Sequence, residues 1–376
     1  MIKMESVYKQ FPGSDHPVVE DLNMDINEGE VCVLVGASGC GKTTTMRMIN
    51  RMLEPTDGNI IVDGKNIRDL NPIKLRLSIG YVIQEIGLFP HMSIESNIAT
   101  VPMELKWEKK KIAERVREMM EMVELDPDFY AKKKPVALSG GQRQRVGVAR
   151  AMAADPKILL MDEPFGALDP ITRSSLQTEF LNIQKKMKKT IVFITHDMEE
   201  AVKMGDKIGV MQFGKLVQYG TAVEVLKNPA NDFVENLVGF NRMIKCLALL
   251  NFRNVSNNSV ILSVDDTKAV LECIKNPGTT KYIGLVNSEG NPVGYIPTEP
   301  KNGKPATTRQ EIENSMAPLT RCVEEDHDLY SVLSEMFLWN DKVLFVKKGD
   351  VITGLITFDD LFDAAHKYGE VVAGGE

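Results

Sequence analysis

The 376-residue chain has little of what marks several large classes of protein. Its five cysteines, Cys32, Cys40, Cys246, Cys273 and Cys322, are odd in number and never fall in a CxxC spacing. That argues against a disulfide framework and a cysteine-based zinc site, and fits a reducing cytoplasm. No apolar run approaches the ~18 residues of a membrane span, and no signal peptide is evident, so any membrane role is expected to come through partners. Positive charge is also short. The 45 Lys+Arg stand against 52 Asp+Glu, a net of −7, which argues against a general nucleic-acid binder. The deficit is uneven: residues 241–376 hold 14 basic and 19 acidic side chains, net −5, leaving 31 and 33, net −2, before them.

What is present is glycine in ordered motifs. The length predicts two or three domains. Gly-rich motifs stop before residue 240 and later segments are shorter and more β-branched, so a boundary is expected near 237–250. In "VCVLVGASGCGKTTTMRMINRM" a β-branched apolar run, 31–35, predicts a strand buried on both faces of a parallel sheet, and a helix follows from about Lys42. Between them Gly36, Gly41, Lys42 and Thr43 complete G-x-x-x-x-G-K-[ST]. Its glycines let backbone amides approach phosphate, its lysine reaches the β/γ-phosphates and its hydroxyl meets Mg²⁺.

Two further apolar runs end in polar groups at the carboxyl end of an expected strand, where open α/β sheets bind ligands. "ILLMDEP" ends in Asp162 and Glu163. Adjacent strand residues face opposite ways, which predicts separate roles: Asp162 for Mg²⁺ through its water, Glu163 for orienting or deprotonating the attacking water. "TIVFITHD" carries His196, and Gln84 follows the strand-like "IGYV", where its amide suits a γ-phosphate or metal. An isolated histidine is more often structural than catalytic; placement favours the second reading here. "VALSGGQRQRVGVAR" adds a second anion cradle, Ser139, Gly140 and Gly141, ahead of a basic helical segment. The arginines of that segment, Arg145 above all, read equally as a solvated face.

Together these motifs resemble the nucleotide-binding subunit of ATP-binding cassette (ABC) transporters over about residues 1–240. The resemblance implies an α/β P-loop NTPase cassette, with a RecA-like core, an antiparallel β subdomain and a helical subdomain at about 85–155, in a domain of residues 1–236. It identifies Gly36 to Thr43, with Ser38, Gly39 and Cys40 inside it, as Walker A, and Thr44 as an α-phosphate contact. Gln84 is the Q-loop glutamine, Leu138 to Gln142 the signature, Asp162 and Glu163 the end of Walker B, Asp169 the D-loop aspartate and His196 the switch histidine. Phe11 is expected to stack on adenine, with Tyr8 as the alternative. In such proteins the signature of one subunit closes over ATP held by the other, which implies a head-to-tail homodimer with Mg²⁺ at each site. "QEIGLFPHMSIESNIATVP" and "MGDKIGVMQFGKLVQYGT" look most like importer ATPases for glycine betaine, carnitine, choline or proline betaine. The implied partners are transmembrane permease subunits and, indirectly, an extracytoplasmic solute-binding protein, at the cytoplasmic face of the plasma membrane, without nucleic acid.

Beyond an expected linker at 237–250 lies a weak internal repeat. "KYIGLVNSEGNPVGYIPTEP" (281–300) and "KVLFVKKGDVITGLITFDDL" (342–361) place Gly294 and Gly354 sixty residues apart, suggesting two packed copies of one supersecondary unit. The pattern resembles a tandem CBS pair of α+β domains, 251–305 and 306–376, a regulatory module that often binds adenosine-containing ligands. The second copy keeps Gly354, Thr357 and Asp360 in G-x-x-T-x-x-D, a hydroxyl for phosphate and a carboxylate for ribose; Thr357 as a helix N-cap is the alternative. Prolines 297 and 300 remove both groups from the first copy. The resemblance names cyclic di-AMP as a candidate ligand, with ionic strength as the other input. A non-transport ABC ATPase and a CBS-regulated sensor ATPase are the competing functions.

Overall fold

The structure is a computed structural model that describes all residues except 84–86, 167, 240–241, 256–258, 300–305 and 372–376. It divides into two compact units, Met1–Gly239 and Phe240–Glu376.

The first unit holds strands β1 (Ile2–Lys9), β2 (Val19–Ile26), β3 (Val31–Gly36), β4 (Asp57–Val62), β5 (Lys65–Asn66), β6 (Ile79–Val82), β7 (Ile158–Asp162), β8 (Thr190–Thr195), β9 (Lys207–Gln212) and β10 (Lys215–Thr221). Six form a sheet in the order β10-β9-β3-β8-β7-β6, parallel except for the antiparallel edge strand β10. The strands β3, β7 and β8 are buried at every residue, as a sheet covered on both faces requires. A second, antiparallel sheet runs β2-β1-β4-β5, and its strands bury alternate residues on one face. Ile2, Met4, Leu22, Ile26 and Ile60 from that face share one core with Met46, Met48 and Ile49 of the Lys42–Ile49 helix and with Leu34, Leu160, Val192 and Ile194 of the parallel sheet. That core clamps the helix between the two sheets.

Helices Ile94–Ile98, Thr100–Glu104, Lys109–Met122 and Pro127–Tyr130 precede the Gly140–Met152 helix, which packs on β6. Met119 and Met120 are fully buried here, whereas Met103 is exposed.

The second unit holds β11 (Ser259–Ser263), β12 (Tyr282–Val286), β13 (Pro292–Pro297), β14 (Ala317–Pro318), β15 (Cys322–Glu324), β16 (Val343–Lys348) and β17 (Val351–Thr357). The same figure occurs twice: a strand, a helix (Thr267–Lys275 or Leu329–Trp339), a parallel strand and an antiparallel hairpin. Gly294 pairs with Leu285 and Gly354 with Val346, and in both hairpins the register shifts at the next position. The repeat seen in the sequence is therefore a repeat in register. Ile261, Tyr282 and Tyr295 of the first copy pack on Val343, Phe345 and Leu355 of the second, and Leu355 N donates to Ser259 Oγ at 2.9 Å.

Two expected boundaries move. Most of the segment expected as linker is structured, since Arg242–Leu247 is helical and Cys246, Leu247 and Leu250 are buried. Leu247 and Leu250 complete the core of the second copy, with Leu329, Val332, Leu344 and Leu361. Conversely, the Arg309–Ser315 helix and β14 belong to the first copy: Ile312 packs with Val270, Ile274 and Ile283, and β14 pairs with β13. The copies thus meet near Leu319, not at 305.

Candidate functional site

β3, β8 and β7 are adjacent and parallel, so their carboxyl ends share one edge of the sheet, with Val35 opposite Thr195 and Asp162 opposite Ile194. On that edge the Gly36–Thr43 loop wraps the start of the Lys42–Ile49 helix. Two of its glycines are dictated by close packing. A Cβ at Gly36 would lie 2.2 Å from Met211 O, and one at Gly41, where φ is 106°, would lie 2.6 Å from Val18 O. Lys42, only 6% exposed, donates from Nζ to Gly36 O at 2.8 Å and Ala37 O at 2.9 Å. Those bonds hold the ammonium across the mouth of the loop. Ser38 and Gly39 are exposed, Cys40 is buried and Thr44 half-buried in the first helical turn.

Thr43 Oγ1 donates to Asp162 Oδ1 at 3.1 Å, joining loop and β7. Burial pushes the Asp162 carboxyl above its usual range, Thr43 opposes the rise and the neighbouring Glu163 adds to it. Glu163 is the first residue beyond β7, not part of the strand. Its φ of 43° is left-handed, a conformation costing on the order of 1–3 kcal/mol for such a residue, and its backbone N donates to Ile194 O at 3.0 Å. Glu163 Oε2 lies 3.4 Å from Nδ1 of His196, whose side chain is largely exposed. The Thr43–Asp162 bond, the Gly36–Thr43 loop and the Glu163–His196 contact thus share one edge of the sheet.

Ser139 caps the Gly140–Met152 helix: its hydroxyl accepts from Gln142 N, and Gln142 Oε1 accepts from Ser139 N at 3.0 Å. Gln142 Nε2 also donates to Tyr130 Oη at 3.0 Å. Asp169 likewise caps the Pro170–Met187 helix through Thr172 N. These two capped ends meet, since a Cβ on Gly141 would lie 2.8 Å from Thr172 Cγ2. Phe11, 38% exposed, lies in the β1–β2 loop with Lys9 Nζ 5.1 Å from its ring, while Tyr8 is half-buried in β1. Gln84 lies outside the described residues.

Arg145 is not part of a solvated face. It donates to Val123 O at 3.1 Å and pairs with Glu179 at 2.8 Å and Glu124 at 3.6 Å, tying the Gly140–Met152 helix to the end of Lys109–Met122 and to Pro170–Met187. In the second unit Thr357 N and Oγ1 both donate to Asp360 Oδ2, at 2.9 and 2.7 Å, and Asp360 N returns a bond to Thr357 Oγ1. The pair expected to meet a ligand is thus a reciprocal cap of the Phe358–Val371 helix. Pro297 ends β13, and Pro300 lies outside the described residues. A further group, Thr195, Gln177 and Glu200, escaped the sequence reading because nothing local separates a buried glutamate from a solvated one.

Among the described residues no three His, Cys, Asp or Glu side chains gather to hold a metal. No described helix is long and apolar enough to cross a membrane.

Residues 19–166 match the sequence profile of a family described as ABC transporter. The chain is 44% identical over 301 residues to the osmoprotectant import ATP-binding protein OsmV of Salmonella typhimurium, covering 79% of each chain. It is 53% identical over 302 residues to the choline transport ATP-binding protein OpuBA of Bacillus subtilis, covering 80% of this chain and 79% of the relative. A dimeric ATP-binding cassette solved in a post-hydrolysis state with ADP and Pi aligns with a TM-score of 0.54 and 31% identity, over 59% of this chain and 99% of that one.

Proposed function

The chain belongs to the ATP-binding subunits of ABC transporters, and on that premise we propose that it energises import of a compatible solute such as glycine betaine, carnitine or choline. Its reaction is ATP hydrolysis coupled to transport. The names of its relatives support the solute class. We read two copies as pairing head to tail, Ser139 to Gln142 of one over the cradle of the other, beside permease subunits at the cytoplasmic face. That a similar solved cassette is dimeric supports the pairing of two copies.

One observation carries the mechanism: the Thr43–Asp162 bond and the Glu163–His196 contact stand on the same sheet edge. Loop amides and Lys42 bind the phosphates, Thr43 and Asp162 would hold Mg²⁺, and Phe11 stacks on the base. Mg²⁺, when bound, neutralises phosphate charge. Glu163 orients and deprotonates water, and His196 holds the carboxylate and the γ-phosphate in place. Glu163→Gln should bind MgATP normally, accumulate a closed dimer and lose ~10²- to 10⁴-fold in turnover; turnover near the wild-type rate would remove Glu163 from the role.

The second unit we read as a tandem CBS pair that regulates transport and does not take part in hydrolysis. Its doubled strand–helix–strand–hairpin figure supports this reading. The input is ionic strength or an adenine dinucleotide such as cyclic di-AMP.

A further inference from the structure

Behind the rim lies a polar network that the site does not itself use. Glu200, on the Met198–Met204 helix, is 7% exposed, Gln177 6% and Thr195 1%. One carboxylate oxygen of Glu200 accepts from the Thr195 hydroxyl, and the other accepts from Gln177 Nε2 at 2.9 Å. Thr195 Oγ1 in turn accepts from Asp197 N at 3.0 Å, and Gln177 Oε1 accepts from Lys203 Nζ at 3.3 Å. The Thr195 and Asp197 ends of this network bracket His196 in the chain. The Gln177 end is anchored in the helix that Asp169 caps. Glu163 is tied to the same turn, since its N donates to Ile194 O.

A buried carboxylate is held in an apolar interior only when its oxygens are matched by donors, and a matched network fixes one geometry. Here the geometry fixed is that of a three-residue turn whose middle residue is otherwise exposed. We propose that Glu200 is a positioning residue for hydrolysis: through Thr195 and Gln177 it locks the β8 turn, so that His196 stands within reach of Glu163. The inference rests on the reading of Glu163 and His196 given above. It makes no claim on nucleotide binding.

The test is steady-state ATP hydrolysis by the full chain, normalised to sites that bind MgATP, for Glu200→Ala, Glu200→Gln, Thr195→Val and His196→Ala, alone and in pairs with His196→Ala. Glu200→Ala should lower kcat on the order of 10- to 100-fold, the scale of a misplaced catalytic group, with the KM for ATP unchanged. Glu200→Gln keeps an acceptor for Gln177 and should recover most of the loss. Thr195→Val breaks the network from the other end and should behave like Glu200→Ala, so the test survives if the alanine variant does not fold. In the His196→Ala background neither change should lower kcat further. Wild-type kcat in both Glu200→Ala and Thr195→Val would overturn the inference, as would losses that simply multiply with that of His196→Ala. Full activity of His196→Ala alone would instead overturn the reading of the histidine.

Discussion

Asp162 holds its charge against the fold. Burial favours its protonated form, so the folded chain binds this proton more tightly than the unfolded chain does. Stability contributed by this group is therefore fully present below its ordinary value of 3.8 and falls as pH rises through the window above it. At neutral pH the charged carboxylate opposes folding. Asp162→Asn should thus raise the melting temperature of the nucleotide-free chain at pH 7, leave it unchanged near pH 3, and abolish Mg²⁺-dependent hydrolysis; a melting temperature lowered at pH 7 would contradict this. The sequence displayed Asp162, Lys42 and Thr43 because phosphate and metal chemistry fixes residue type and spacing within one short loop or strand end. It did not display the left-handed backbone of Glu163, which depends on a bond to Ile194 thirty-one positions on, nor the burial of Glu200.

Among elements, the two capped helices impose unequal demands on a pair of glycines that look equivalent in the sequence. A Cβ on Gly140 would find its nearest neighbour, Leu168 Cδ2, at 3.8 Å, whereas one on Gly141 would press on Thr172 Cγ2 at 2.8 Å. Replacing a helical glycine by alanine gains up to about 1 kcal/mol where there is room. Gly140→Ala should be neutral or stabilising in thermal denaturation, and Gly141→Ala destabilising. Thr172→Ala, added to Gly141→Ala, should restore the loss; equal melting temperatures for the two single variants would show that the helices yield freely. Arg145 shows the limit of helical periodicity as a guide. A charge on a basic helix reads as solvated until the partners on other elements, here Val123 O and Glu179, are in place.

At the scale of the whole chain, every residue assigned to hydrolysis, Glu200 included, precedes the end of the first unit at Gly239. A chain of residues 1–239 should hydrolyse ATP with its permease but lose its response to the regulatory input; any binding of cyclic di-AMP measured calorimetrically on the full chain should vanish with it. Retained regulation would place the sensor in the first unit. A chain cut at 250 should be the less soluble of the two in sedimentation, because it keeps Cys246, Leu247 and Leu250 without the residues that bury them. The doubled hairpin was legible in the second half because Gly294 and Gly354 recur with their strand patterns. The exchange of flanking helices between copies was not, since it is decided by which core has room.

That exchange sets a timetable for biosynthesis. Leu247 and Leu250 wait for Leu361, Ala364 and Ala365, contacts more than a hundred positions apart, while the first copy can gather Val270, Ile283 and Ile312 from a much shorter stretch. On a ribosome emitting roughly 5–20 residues per second, the interrupted core stays open for about 6 to 23 seconds after its first apolar helix emerges. Through that interval the nascent chain exposes a hydrophobic segment between two parts that can already fold, the segment for a chaperone to hold.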